Sequence, residues 1–300
     1  MRRRGVGWLA AAACVALVAA PAAGQHRVVR SAQLDPDGEF RIWNLAGSVR
    51  VVGWDLDSVR VEADLDDTAR DLFMFGAQGE GGKVTTDRHG RSGVAHLVVR
   101  VPRTATVWVK TMSAPVHVSE VTGSIDVYAV SGDVAIDASA ATVYAESMGG
   151  RVRVTGGSRV VRLRTGSGPI EFDGAAADLV LTTVSGNVLA RASGLIRGIV
   201  ESVGGRVHLG VSFGRDASLE VLTHDGDVDI TLPARTPVDY RIATVSGGIQ
   251  VLDPLRRSEP SLDRRRVPDE AARDVPHSVP GGAQVELRTF SGGITLRGAP

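Results

Sequence analysis

Ser131-Gly132-Asp133-Val134, Gly149-Gly150-Arg151-Val152, Ser167-Gly168-Pro169-Ile170 and Ser185-Gly186-Asn187-Val188 are four versions of one phrase: a small residue, a glycine, any residue, then Val or Ile. Further copies follow at Gly204-Gly205-Arg206-Val207, Asp225-Gly226-Asp227-Val228, Ser246-Gly247-Gly248-Ile249 and Ser291-Gly292-Gly293-Ile294. A degenerate copy precedes them at Ser113-Ala114-Pro115-Val116. The second positions 114, 132, 150, 168 and 186 are spaced by 18 residues. The next steps, to 205, 226 and 247, are 19, 21 and 21, and the last, to 292, is 45. A fixed short period is the signature of a repeat architecture. The long final step reads as two coils plus an insertion.

The columns within the repeat give the local structure. After the glycine, apolar residues alternate, as in Val134 and Ile136, Val152 and Val154, Ile170 and Phe172, or Val207 and Leu209. Before it lies a second alternating run, as in Ile125 and Val127, Val143 and Ala145, Val161 and Leu163, or Leu179 and Leu181. Period two marks a half-buried strand. Each repeat is therefore two short strands joined at the glycine, which permits a positive φ that a side chain would resist. The predicted fold is all-β: a single β-solenoid, β-helix or β-roll-like, with coils of about 18–21 residues. Stacking buries the inner faces, and each inward Val, Ile or Leu contributes on the order of 1.5–3 kcal/mol.

Three residues before the glycine runs a hydroxyl column: Thr111, Ser147, Thr165, Thr183, Ser202, Thr223, Thr244 and Thr289, broken by Ala129. These resemble nucleophiles as residue types. Their inward parity instead predicts a corner ladder, with hydroxyls roughly 4.8 Å apart bonding along the stack or to turn backbone.

The chain divides into a signal peptide at 1–24, an N-terminal cap with first irregular coils at 25–111, and the regular solenoid at 112–300. Arg2, Arg3 and Arg4 precede an apolar run from Val6 to Ala20, followed by small residues at Ala22, Ala23 and Gly24. That order is a secretory signal. The apolar run is short for a span of ~20 residues, and no later segment is apolar enough to cross a bilayer. The lone cysteine, Cys14, sits inside the signal. The exported chain then has no thiol for a disulfide, a metal or a nucleophile. Residues 66–82 are less regular and accommodate a short helix or loop. Residues 253–282 hold Pro254, Pro260, Pro268, Pro276 and Pro280, with Arg256, Arg257, Arg264, Arg265 and Arg266. Their apolar periodicity vanishes, so they read as a flexible polar insertion.

The 34 basic residues balance 34 acidic ones, and loss of the three signal arginines leaves about −3. No concentrated basic footprint for nucleic acid results. Aromatics are scarce at 4%, so Val, Ala and Gly carry the apolar load.

The phrase Asn44-Leu45-Ala46-Gly47-Ser48-Val49 through Gly53-Trp54-Asp55, the step Val101-Pro102, and the repeated Thr-x-Ser-Gly-x-Ile/Val units occur in order. Together they resemble the bacterial adhesin-like family DUF4097, from about residue 38 to the end apart from 253–282. The resemblance implies an envelope-associated β-solenoid with adhesion suggested, and it carries over no catalytic residue.

Tests for chemistry find little. His26, His89, His96, His117, His208, His224 and His277 are scattered without metal-ligand spacing. His117 and His208 share a column but sit five coils, roughly 24 Å, apart. Asp225-Gly226-Asp227-Val228-Asp229 has calcium-like composition, but the acid run occurs once. The outward columns Asp133, Arg151, Pro169, Asn187, Arg206, Asp227 and Ala135, Arg153, Glu171, Leu189, His208, Asp229 mix signs. A carbohydrate lyase or hydrolase, the enzymatic alternative, needs converging carboxylates instead. The sequence therefore predicts an exported, periplasmic or cell-surface, non-enzymatic binding or scaffolding protein without cofactor, metal or catalytic residues. Its partner is an unspecified envelope component: glycan, lipid headgroup or protein. An envelope-stress accessory protein is a further alternative. Val180, Leu189 and Tyr128 are outward candidates for an apolar patch.

Overall fold

The computed structural model describes residues 26–88, 90–233, 236–252, 273–277 and 282–298. Both runs of alternation become strands, and the strands stack in two parallel ladders that face each other across a thin core. One ladder contains Thr106–Lys110, Ser124–Ala129, Thr142–Ser147 and Ser158–Thr165, paired in register at the 18-residue offset, as in Ile125↔Val143 and Val143↔Val161. We call it the leading ladder. The trailing ladder contains Val116–Ser119, Val134–Asp137 and Val152–Thr155, with Val116↔Val134↔Val152 in one row. Midway along the stack, the trailing strand of one coil runs directly into the leading strand of the next. The continuous strands Ile170–Thr183, Val188–Ser202 and Val207–Thr223 result. The inward residues fill the space between the ladders, with Ile125, Val143, Leu181, Val207 and Val221 fully buried. Small β-branched side chains suit this thin layer, because they pack on a pleated surface at little conformational cost.

The glycine in each turn has a different cause from the one its sequence suggests. The positive-φ glycines are Gly47, Gly79, Gly90, Gly156 and Gly194; Gly47, in the first coil, is at a turn-column position, but none of the column glycines from Gly132 to Gly292 is among them. The column exists because successive coils touch there. A Cβ on Gly168 would lie 1.9 Å from the Gly150 carbonyl oxygen, one on Gly186 1.9 Å from that of Gly168, and one on Gly205 1.8 Å from that of Gly186. Any side chain would force adjacent coils apart.

At both ends the coils leave sequence order. The strands Ala283–Thr289 and Ile294–Gly298 lie between the coil that ends in Val228–Leu232 and the coil formed by Val238–Thr244 and Ile249–Leu252. The last stretch of chain is thus an inner layer. The turn glycines confirm the order: a Cβ on Gly292 would meet Gly226 O at 2.1 Å, and one on Gly247 would meet Gly292 O at 1.9 Å. The 21-residue step from Gly226 to Gly247 therefore jumps outwards over one layer, and the 45-residue step is the return that fills it, not two successive coils. The beginning mirrors this. Glu39–Trp43 and Ala46–Trp54 lie between the outer strands Gly81–Thr85 and Val94–Pro102 and the inner strands Thr106–Lys110 and Val116–Ser119. Each jump over an intercalated coil starts at a proline, Pro102 and Pro233.

Antiparallel strands cover the outer layers. Ser58–Leu65 pairs with Val94–Pro102, and His26–Gln33 pairs with Ser58–Leu65. Met74–Gln78 covers Gly81–Thr85. This is how a stack of open edges avoids templating another chain. The irregular stretch predicted at 66–82 contains the helix Asp67–Leu72, capped by Asp66, whose carboxylate accepts from Ala69 N at 2.6 Å. Within the stretch read as a loop, Arg273–His277 is a strand antiparallel to Val238–Thr244. The rest of that insertion and the signal segment lie outside the described residues, apart from Gly282.

Candidate functional site

The hydroxyl column is buried throughout. Ser147, Thr183, Ser202, Thr244 and Thr289 each accept a hydrogen bond from the glycine amide three residues on, at 2.9–3.0 Å. Ser147 also donates to Gly132 O of the neighbouring coil at 3.0 Å, and the Thr165 hydroxyl lies 3.0 Å from Thr183 Oγ1. These groups close the corner and are spent there. Thr111 Oγ1 has no partner, since the next position in the column is Ala129.

The titratable groups are likewise engaged between coils. His117 Nε2 lies 2.9 Å from Asp137, and His208 Nδ1 3.5 Å from Asp229. Hydrogen bonds from Thr155 and then His117 hold the Asp137 carboxyl below the usual range. The candidate calcium segment spends its acids the same way. Asp225 accepts from Ser291, Asp227 accepts from Gly293 N at 2.9 Å, and Asp229 pairs with Arg297. Glu171 sits 3.5 Å from Arg151 and 4.0 Å from Arg153, as the outward columns predicted. All are partly exposed and contribute little each. Among the described residues, no group of three or more His, Cys, Asp and Glu could hold a metal. His89 and the His277 side chain lie outside the described residues.

Grooves run along the surface, and one of about 400 Å³ on the leading ladder gathers Glu220, Asp239 and Glu286 beside Arg197 and Arg241. A larger one, of about 600 Å³, runs along the trailing ladder near Asp173, Arg191 and His208, with Asp173 and Arg191 paired at 3.5 Å. Another, of about 290 Å³, lies on the leading ladder between Tyr128, Tyr144, Glu146, Arg162 and Val180. Of the three residues expected to form one apolar patch, Tyr128 and Val180 line this groove. Leu189 projects from the opposite ladder, so the three do not come together.

Two features went unread in the sequence. The first is an exposed apolar ridge along the turn edge, one residue after each hydroxyl. In stack order it holds Met112, Val130, Met148, Val184, Val203, Phe290 and Val245, each half exposed or more. Gly166 and His224 complete the column, and the His224 ring stacks on Phe290 with centroids 4.9 Å apart. Its signal was present, as Met112, Val130, Met148 and Val184 keep the coil period. The second is an aromatic strip on the outer face of the leading ladder. Trp43 and Trp108 are 6.0 Å apart, Trp108 and Tyr128 5.9 Å, and Arg162 lies 5.6 Å over the Tyr144 ring. No sequence period joins Trp43 to Trp108, because their strands pair only through the intercalated coil at the start of the stack.

No helix among the described residues is long and apolar enough to cross a membrane. No curated protein matches the chain. Among solved structures, a candidate lipid binding protein from Parabacteroides distasonis is similar over 91% of this chain and 97% of its own, at 10% identity and a TM-score of 0.52. A candidate adhesin from Parabacteroides merdae is similar over 91% and 96%, at 9% identity and a TM-score of 0.47. The first of these shares the fold. The family model described as Toastrack DUF4097 matches residues 64–297, from the end of Ser58–Leu65 through the regular coils to the returning coil, and the chain belongs to that family.

Proposed function

We propose that this protein is an exported, non-enzymatic component of the cell envelope, an adhesin-like binding or scaffolding solenoid that meets its partner along its outer surface. The apolar ridge from Met112 to Val245 carries the reading. Soluble proteins scatter exposed apolar residues singly, and contiguous apolar surface marks an interaction site. Here seven side chains are aligned by the coil repeat itself, at a spacing of about 4.8 Å. Export rests on the tripartite segment 1–24. A non-catalytic role is supported by the chemistry of the candidate groups: the hydroxyls are committed to turn amides, and Asp137, Asp225, Asp227 and Asp229 to neighbouring coils. The fold shared with a candidate lipid binding protein is compatible with an envelope partner.

The test is capture of the protein's own envelope fractions by the purified protein, beside a variant carrying Met148→Ser, Val184→Ser and Val203→Ser. Saturable capture that the variant loses, with an unchanged melting temperature, supports the reading. Capture of nothing by the unaltered protein defeats it.

A further inference from the structure

Tryptophan and tyrosine are rare in this chain, with 4 and 3 residues. Yet Trp43, Trp108, Tyr128 and Tyr144 gather on one outward face, drawn from four adjacent strands of the leading ladder. Nothing in the fold requires them there. The inward positions of the same strands, Phe40, Ile42, Val107, Val109, Ile125, Val127, Val143 and Ala145 among them, fill the core. Trp43 and Tyr128 are exposed, and Trp108 and Tyr144 half-buried between them.

The polar side chains around the strip have unspent capacity. Lys110 lies beside Trp43 and Tyr128 in the ladder, Asp126 beside Trp108 and Tyr144, and Glu146 beside Tyr128 and Arg164. The side chains of Lys110, Asp126, Glu146 and Arg164 make no hydrogen bond or ion pair among the described residues, unlike the engaged acids of the trailing ladder. Burial, and then the charge of Glu39, push the Asp126 carboxyl up. With Arg162 and the Glu39–Arg41 pair included, the face carries four bases against three acids, too near balance to select a polyanion.

We propose that this strip is a binding platform for a neutral, β-linked polysaccharide. A pyranose ring presents axial C–H groups polarised by its oxygens, and these meet the electron-rich face of an aromatic ring. Its equatorial hydroxyls project sideways, where they need both donors and acceptors. Lys110 and Arg164 supply donors, and Asp126 and Glu146 supply acceptors. The aromatic centroids are 6.0 and 5.9 Å apart with the rings inclined at 61° and 46°, so they offer a contoured track of ring faces and edges that the groove beside Tyr128 and Tyr144 continues. Rigid strands hold the rings in place before the ligand arrives, which lowers the ordering cost of binding. The proposal rests on the binding reading above and names its ligand class and site, apart from the ridge.

The experiment is co-sedimentation of the purified protein with insoluble chitin, cellulose and β-1,3-glucan, beside Trp43→Ala/Trp108→Ala and the opposite-face control Leu189→Ala. The expected result is saturable binding to at least one glycan, weakened at least ten-fold in the double variant and unchanged in the control, with all melting temperatures alike. Equal binding by the double variant overturns the platform. So does failure of the unaltered protein to sediment with any of the three. If envelope fractions are still captured in that case, the platform alone falls and the wider binding reading stands.

Discussion

Gly149 and Gly150 are consecutive, share one turn, and offer a stringent test of the fold. A Cβ added at Gly149 finds its nearest neighbour, Val130 O, at 3.7 Å, an ordinary contact. A Cβ added at Gly150 would lie 2.2 Å from Gly132 O, 2.5 Å from Gly132 C and 2.8 Å from Ser147 Oγ. Neither glycine has a positive φ, so alanine is conformationally allowed at both, and sterics alone separate them. Relief at Gly150 requires the two coils to part by about 1 Å. That disturbs the bonds that cross between them, from Ser147 Oγ to Gly132 O and from Val134 N to Arg151 O. Two bonds at about 1 kcal/mol each and overpacking of about 1–3 kcal/mol put Gly150→Ala near 3–5 kcal/mol of destabilisation. Gly149→Ala should be neutral or stabilise by up to about 1 kcal/mol, because alanine has less freedom to lose on folding. For a chain of this size, about 2 °C per kcal/mol predicts a melting temperature about 6–10 °C lower for Gly150→Ala and unchanged or slightly raised for Gly149→Ala. Circular dichroism melts of the two variants read this directly. Equal shifts would refute the close-approach account of the glycine column.

The hydroxyl column gives a second pair: Thr183→Val strips the acceptor from the Gly186 amide and should cost about 1–3 kcal/mol, whereas Thr111→Val removes an orphaned oxygen and should be neutral or stabilising. Chemical denaturation that ranks the two alike would contradict the corner-ladder role. Since residues 283–298 form an inner layer, deleting them should abolish protease resistance of 218–252 as well, and digestion that trims nothing beyond a frayed end would show the coils stack in chain order after all. Asp66 caps its helix with a carboxyl held below the usual range, chiefly by the Ala69 amide and then by that of Val94. A depressed carboxyl stabilises above its ordinary range and loses that contribution as pH falls through its folded value. Asp66→Ala should therefore cost about 1 kcal/mol at pH 7, and the gap to the unaltered protein should start to narrow as pH falls below about 4. A gap of undiminished size at pH 3 would sink the assignment.

Much of the fold was legible because a solenoid writes its geometry into a period. Alternation at Val134 and Ile136 gave the strand, its inward face and, through the 18-residue offset, its partner. The inwardness of Thr165 and Thr183 separated a ladder from a row of nucleophiles. Parity likewise put Asp133, Arg151 and Glu171 outside, and the structure brings Arg151 and Glu171 together. The ridge was equally periodic, but attention to core positions passed over the exposed residue after each hydroxyl. Tyr128 was recognised as outward, while its aromatic neighbours were not.

The sequence by itself determined the coil, its two strands, its buried columns and its glycine turn, because each follows from contacts between residues one period apart. The tertiary structure decided the order of the layers at both ends. Nothing in Val285 and Leu287 says whether they stack on Leu219 and Val221 or beyond Tyr240 and Ile242, since every coil offers the same inner face. The choice depends on which edges the capping strands close and on how the chain returns from 253–282. The aromatic strip follows from that choice: Trp43 meets Trp108 because the first coil is held between an outer layer and the rest of the stack. A repeat specifies a neighbour's shape and leaves its identity open, and long-range chain connectivity supplies the identity.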